Sequence, residues 1–576
     1  MSEPTRPVPT QIGPDGNVTA RVTMSPTTNT VRAEVHAPPD QAIPIVFVPG
    51  IMGSPLLATG ANARIMGSDN RWAWFPDDGL GWVAGITKWK SYNSLTPAER
   101  KQLLDPQRTR ALSKPQDADR KTVSKYVTAL PLEEALNRGW GSVMLDSYGK
   151  ILNILEGKLR FILTPEGKPY PGIKEAMPNV VSSWGELKGY RPLTPDALEA
   201  AAEFRYPVYA VGYNWLNSNS QAADYLAGQI QAILARCKNK LGLKCKHGVI
   251  LVTHSMGGLV ARMCAKRNPN LIQGVVHGVQ PAIGAATAYR RVRAGWEDIA
   301  GAIGLGGTGK KIMPIFANAA GPLELLPNKR YGTGWLRITS NGKTLFQLPD
   351  AGKGGGDPYA QIYLHPYAWW RLMDPGWINP IGNEPNPNQP AVASAWLNYQ
   401  TRIGEAKDFH SNQLGGYYHP NSYVHYGADE GHQAFQHCTW KLNAGLIPSH
   451  KRGMPGTPAP APSQEHAVNL QLTGDNYEGR TWMVDKVSEQ QLINQHGVGI
   501  MHNTLGHGYF ADLQGQDQAG DGTVPAHAAE DAAEQAVFAA RMTGYDHQGS
   551  YKNLNVQNLT LYSILRIGAV AKELPA

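Results

Sequence analysis

No uncharged apolar run of about 18 residues occurs anywhere in the chain, so no stretch reads as a membrane-spanning helix. The segment Met1 to Pro39 is polar and rich in Pro and Thr. It lacks the apolar stretch of a secretory signal, so passage to another compartment is expected to use a signal-independent route. Cysteine is scarce: Cys237, Cys245, Cys264 and Cys438 are the only four in 576 residues. Cys237 and Cys245 are near enough in sequence to close a small loop as a disulfide or to stay as two thiols, and spacing leaves both open. Cys264 falls in an expected helix as a packed thiol. No C-x-x-C or H-E-x-x-H is present, which removes the local signatures of a zinc site. A dense Lys/Arg stripe is missing too. The 54 basic and 46 acidic residues give +8 and a pI near 9.0, mild for this size. That argues against a nucleic-acid binder and is compatible with an anionic lipid surface. No internal repeat is evident.

What is present describes a globular protein with ample core and many loops: 42% hydrophobic, 17% charged, with Gly 62 and Pro 43. Length alone would suggest roughly four domains. The order of elements favours one α/β core with large insertions. Apolar runs predict strands at Ile43–Val48, Tyr206–Tyr213, 248–253 and Gly274–Val279. Between them, Ala223, Leu226, Ile230, Ile233 and Leu234 recur at helical spacing over Ser220–Arg236. Strand–helix alternation implies parallel βαβ units and a mostly parallel sheet. The core is expected from 41–60, 205–340 and 500–576, preceded by a disordered leader over 1–40. A first cap insertion spans 61–204, with Trp72, Trp74, Trp82, Trp89 and Trp140 and helices near Pro97–Leu104 and Ser147–Leu159. A second spans 341–499. Within 285–315, Arg290, Arg291 and Arg293 precede Trp296 and an apolar, glycine-interrupted segment, which suits either a mobile lid touching lipid or a packed surface helix.

Leu251-Val252-Thr253-His254-Ser255-Met256-Gly257-Gly258 organises the rest. A buried strand runs into a small-residue corner, then an amphipathic helix to Arg267 that stops before Asn268-Pro269. This is the setting of a nucleophile elbow, where a tight turn pushes Ser255 clear of the sheet and the helix N-terminus offers N–H groups to an oxyanion. Thr253 stands where the usual G-x-S-x-G pattern has its first glycine. Upstream, Pro49-Gly50-Ile51-Met52-Gly53-Ser54 closes a strand with a glycine-bearing loop, where the Ile51 N–H would join that of Met256 as oxyanion donor.

A serine nucleophile needs a base and an orienting carboxylate. In α/β-hydrolases these follow the serine in the order acid, then histidine. Gly520-Asp521-Gly522-Thr523-Val524-Pro525 and Gly544-Tyr545-Asp546-His547-Gln548-Gly549 set Asp521 and His547 in glycine-bracketed loops before a closing helix over Asn555–Glu573. His502, His507 and His527, and Asp475, Asp512 and Asp546, are rivals. The cluster His419 to Glu430 lacks the spacing of a metal site and is expected as a hydrogen-bonded loop.

Val48–Ser54, His254–Gly258 and Gly520–Pro525, with Pro322-Leu323-Glu324-Leu325-Leu326-Pro327, resemble the lecithin:cholesterol acyltransferase-like and PGAP1-like lipases. Size, N-terminus and two large insertions are most similar to bacterial type VI secretion lipase effectors of the PGAP1-like group. The resemblance implies an α/β-hydrolase core and cleavage of acyl esters of membrane glycerophospholipids by Ser255, Asp521 and His547, without a cofactor or metal. It further implies a cognate immunity protein, a secretion machinery, a phospholipid surface as partner, and delivery to the periplasm or membrane of target cells. An acyltransferase would use the same triad, and a catalytically dead hydrolase fold would serve as a binding module.

Overall fold

The structure, a computed structural model, describes residues 5–23, 31–60, 65, 71–75, 77, 94–177, 183–297, 306–386, 394–447, 457–459, 461–484 and 508–575. Seven strands form the main sheet. In chain order they are β1 (Ile45–Val48), β2 (Glu186–Lys188), β3 (Val208–Ala210), β4 (Val249–His254), β5 (Ile272–Gly278), β6 (Ser422–Gly427) and β7 (Phe538–Met542). The spatial order is β3-β1-β4-β5-β6-β7-β2, parallel throughout except for the edge pair β7–β2. Strands β1, β4 and β5 are buried at every position. The apolar runs Ile45–Val48 and Val249–Val252 are what a parallel sheet covered on both faces requires.

Five helices position the site: α1 (Leu145–Lys158), α2 (Asn219–Leu241), α3 (Gly257–Arg267), α4 (Ala526–Gln535) and α5 (Leu554–Ala569). Val46, Val48, Val249 and Leu251 pack on the side of α2, α3 and α4, while Ile45, Phe47, Ile250 and Val252 pack on the side of α1 and α5. Helix α2 starts at Ser218, whose side chain accepts from the Gln221 N–H, and stops at Gly242 with φ +64°. These are the polar N-cap and left-handed glycine that satisfy the orphaned ends of a helix.

Two sheet strands come from stretches expected outside the core. Ser422–Gly427 falls in the cluster His419 to Glu430 expected as a hydrogen-bonded loop, but it is a strand with all six residues buried, its Tyr and His side chains masking the strand in the sequence. Burial holds His425 down to about 3, so it lies in the sheet as a neutral ring. Glu186–Lys188 forms the antiparallel edge. The 341–499 stretch, expected as the second insertion, supplies four strands of a separate six-stranded sheet, ordered Lys343–Leu348, Leu336–Ser340, Cys438–Ala444, Tyr509–Leu513, Arg480–Val484 and Gln471–Asp475. Within the leader, Thr5–Val8 pairs in parallel with Arg32–Val35. Trp140 is buried and donates to the Val208 carbonyl at 3.0 Å. Trp74 donates to the Met52 carbonyl at 2.7 Å. Trp82 and Trp89 lie outside the described residues. All four cysteines are thiols. No described helix is long and apolar enough to cross a membrane.

Candidate active site

The strand β4 ends at His254, and Ser255 follows with φ +53°, in the left-handed region. A non-glycine residue there is strained, and such strain concentrates at functional turns. Its N–H donates to the Gly278 carbonyl at 2.9 Å, and its carbonyl accepts from the Gly258 N–H at 2.9 Å, so the turn is fixed at both ends. A Cβ on Gly257 would lie 2.4 Å from the Pro49 oxygen and 2.5 Å from the Val48 oxygen. Glycine is therefore what lets α3 start directly against the end of β1. Thr253 is extended within β4, in register with Val48 and His277, and its Cβ needs no special backbone there. The substitution at the first glycine position is thus accommodated as an ordinary strand residue.

The structure brings the three expected side chains together. Ser255 Oγ is 2.9 Å from His547 Nε2, and His547 Nδ1 is 2.7 Å from Asp521 Oδ2. The other Asp521 oxygen accepts from the N–H groups of Thr523 (3.0 Å) and Val524 (2.7 Å). The carboxylate is therefore oriented by its own loop, and the His547 N–H donates to the Asp521 carbonyl at 2.7 Å. Asp521 is 1% exposed and Ser255 4%. Beneath the acid, a Cβ on Gly427 would come 2.7 Å from Asp521 Cβ, so the end of β6 must be bare there.

The loop after β1 is pressed onto the elbow. A Cβ on Gly50 would lie 2.8 Å from His254 Nδ1 and 2.9 Å from Ser255 Cβ. Met52 has φ +63°, and the Gly53 N–H closes the turn on the Gly50 carbonyl at 3.1 Å. Helix α3 has no side-chain cap. The N–H groups of Met256 and Ile51, the two expected oxyanion donors, meet no acceptor among the described residues. A free donor at a helix N-terminus is suited to receive negative charge.

Two further residues, His254 and Tyr148, are hydrogen-bonded to this group. His254 Nε2 is 2.9 Å from the His547 carbonyl, and its Nδ1 is 3.0 Å from Tyr148 Oη. The Gly50 N–H reaches the same tyrosine oxygen at 3.4 Å. Burial, then the neighbouring His547, hold His254 well below the usual histidine range, so it is neutral. Tyr148 comes from α1, inside the stretch expected as an insertion, and no local pattern in the sequence links it to the elbow.

The rivals are engaged elsewhere. His527 Nε2 is 3.0 Å from the Tyr331 carbonyl. Asp475 pairs with buried Arg293, Asp512 with Arg480, and Asp546 accepts from the Gly549 N–H. His502 and His507 lie outside the described residues, as does 298–305 at the middle of the expected lid. On its near side the helix Ala286–Ala294 touches the acid loop: Thr287 Oγ1 donates to the Thr523 carbonyl at 2.6 Å, and Arg291 reaches Thr523 Oγ1 at 3.1 Å. The arginines here are drawn into ion pairs and backbone contacts, with Arg291 on Glu297 and Arg290 on the Gly295 carbonyl. Among the described residues no cluster of three or more His, Cys, Asp or Glu side chains could hold a metal ion.

No protein-family model matches the chain, and no curated protein matches it. Among solved structures it is similar to a chain in the crystal structure of the Tle4–Tli4 complex. Sequence identity is 26%, the match covers 92% of this chain and 99% of that one, and the TM-score is 0.71. The resemblance to type VI lipase effectors drawn from the motifs therefore has a structural counterpart over nearly the whole chain.

Proposed function

We propose that the protein is a serine ester hydrolase built on an α/β-hydrolase core, a phospholipase A that cleaves acyl esters of membrane glycerophospholipids. The observation that carries this is the hydrogen-bonded chain Ser255–His547–Asp521 at a strained elbow, with its 2.9 Å and 2.7 Å contacts. His547 Nε2 takes the proton of Ser255 as Oγ attacks the ester carbonyl. Asp521 holds the imidazolium that forms. The Met256 and Ile51 N–H groups receive the oxyanion, and loss of one such donor costs ~10²–10³ in rate. His547 then protonates the departing lysolipid alkoxide. Water, deprotonated by the same histidine, releases the fatty acid and regenerates Ser255.

Parts of 61–204 and 341–499 outside the main sheet cap the site and shield the acyl chain. The similarity to Tle4 supports a type VI secreted effector acting on target-cell membranes, and the pairing of Tle4 with Tli4 supports a cognate immunity protein for this chain. The test is the Ser255→Ala variant against defined phospholipids. Abolished fatty-acid release, with a fluorophosphonate adduct mapped to Ser255 in the wild type, supports the reading. Unchanged release, or an adduct elsewhere, overturns it. Adding an alcohol acceptor distinguishes hydrolysis from acyl transfer by the products formed.

A further inference from the structure

The residue before the elbow serine is a buried histidine with a fully determined proton arrangement. The His547 carbonyl can only accept, so His254 Nε2 carries the hydrogen of their 2.9 Å contact. The ring is neutral, which leaves Nδ1 bare as an acceptor. Tyr148 must then donate its O–H to Nδ1 at 3.0 Å, and its lone pair is left to accept the Gly50 N–H at 3.4 Å. His254 is 2% exposed and Tyr148 1%, so no solvent competes for these bonds. The opposite arrangement, a charged His254, would set a second cation 4.9 Å from the ring that must become an imidazolium.

We propose that His254 and Tyr148 are positioning residues that tie the His547 loop to the oxyanion loop at Gly50, keeping base and oxyanion donors in register across the nucleophile. This rests on the reading of Ser255 as nucleophile. The tie has a mechanical logic. His547 is held by its side chain between Ser255 and Asp521, by its N–H on the Asp521 carbonyl, and by its own carbonyl on His254. Removing the last of these frees one side of the histidine backbone. On the other branch, Tyr148 contacts the loop that presents Ile51, and a Cβ on Gly53 would lie 2.8 Å from the same hydroxyl. Base and oxyanion loop thus share one rigid spacer, and a rotation of either is resisted by the other.

The experiment uses the full chain, a soluble p-nitrophenyl acyl ester and the variants His254→Phe, His254→Gln, Tyr148→Phe and the Phe/Phe double. His254→Phe keeps a ring but loses both hydrogen bonds, and kcat is expected to fall ~10²-fold with KM nearly unchanged, the size of effect that a small misplacement of the base produces. His254→Gln can again donate to the His547 carbonyl and should recover about tenfold, the worth of one buried hydrogen bond. Tyr148→Phe should lose about tenfold. The double variant should be no slower than His254→Phe, because both changes cut one relay. A wild-type kcat in His254→Phe, no recovery in His254→Gln, or multiplicative losses in the double overturns the proposal. Tyr148→Phe removes a single oxygen, so it carries the test if His254→Phe does not fold: wild-type kcat there overturns the relay. Ser255→Ala separates the two levels. Activity retained by Ser255→Ala removes the nucleophile reading, whereas an inactive Ser255→Ala beside fully active relay variants removes the relay alone.

Discussion

Glu324→Gln should make the protein's stability much less sensitive to pH. Glu324 lies in the Pro322–Pro327 stretch and is 1% exposed. One oxygen accepts from the Asn219 backbone N–H at 2.8 Å and from Asn219 Nδ2 at 2.7 Å, at the first residue of α2. No cation pairs with it among the described residues. Burial is the largest influence and lifts the carboxyl to about 8, against the two Asn219 bonds that lower it, while Glu405 adds to the rise. In the unfolded chain the ordinary value is 4.5. Between these pH values the folded protein keeps a proton that the unfolded chain has released, so stability falls as pH rises. The contribution is intact below 4.5 and lost progressively as pH rises through 8. At about 1.4 kcal/mol per pH unit the whole interval corresponds to about 5 kcal/mol. Gln keeps an acceptor for Asn219 and carries no titrating proton. Urea unfolding of both proteins at pH 5 and pH 8 gives the paired difference, in which all other titrating groups cancel. Wild type should lose several kcal/mol relative to the variant over that span. A paired difference that stays constant between the two pH values would show that Glu324 does not keep its proton in the folded protein.

The orphaned hydroxyl of Thr253, buried with no hydrogen-bond partner, predicts that Thr253→Val stabilises by about 1 kcal/mol and keeps ester hydrolysis. A lower melting temperature would contradict it. Gly257→Ala places a methyl against two backbone oxygens that cannot yield, which should cost about 1–3 kcal/mol and displace the Met256 N–H. Melting and kcat report the two effects, and a variant unchanged in both contradicts the close approach. Asp521→Asn should preserve the fold and lower kcat ~10⁴-fold, because the amide disfavours the tautomer of His547 that accepts the serine proton. A loss below tenfold would mean that another group orients the histidine.

The parts of the site legible in the sequence are those whose constraint is local. Val249–Val252 announces a buried strand by composition, Gly257 marks the close approach of a helix to it, and Gly520 and Gly522 frame an acid in a turn. The closing helix expected over Asn555–Glu573 runs from Leu554 to Ala569, one residue earlier at its start and four shorter at its end. What escaped is set by contacts between distant segments. Ser422–Gly427 is buried by the strands on either side, so its tyrosines and histidines read as polar until those neighbours are known. Gly427, which must be bare beneath Asp521, was the available signal for a close approach. Tyr148 sits on a helix whose periodicity says only that one face is buried. Its hydroxyl meets His254 because α1 packs on the sheet face that carries Phe47, a fact of topology with no signature in spacing.

The most direct test is the product spectrum from defined glycerophospholipid vesicles, read by mass spectrometry for wild type and Ser255→Ala side by side. A serine phospholipase A releases free fatty acid and lysophospholipid in equal amounts in the wild type, and the variant releases neither. Release by both proteins, or by neither, would contradict it.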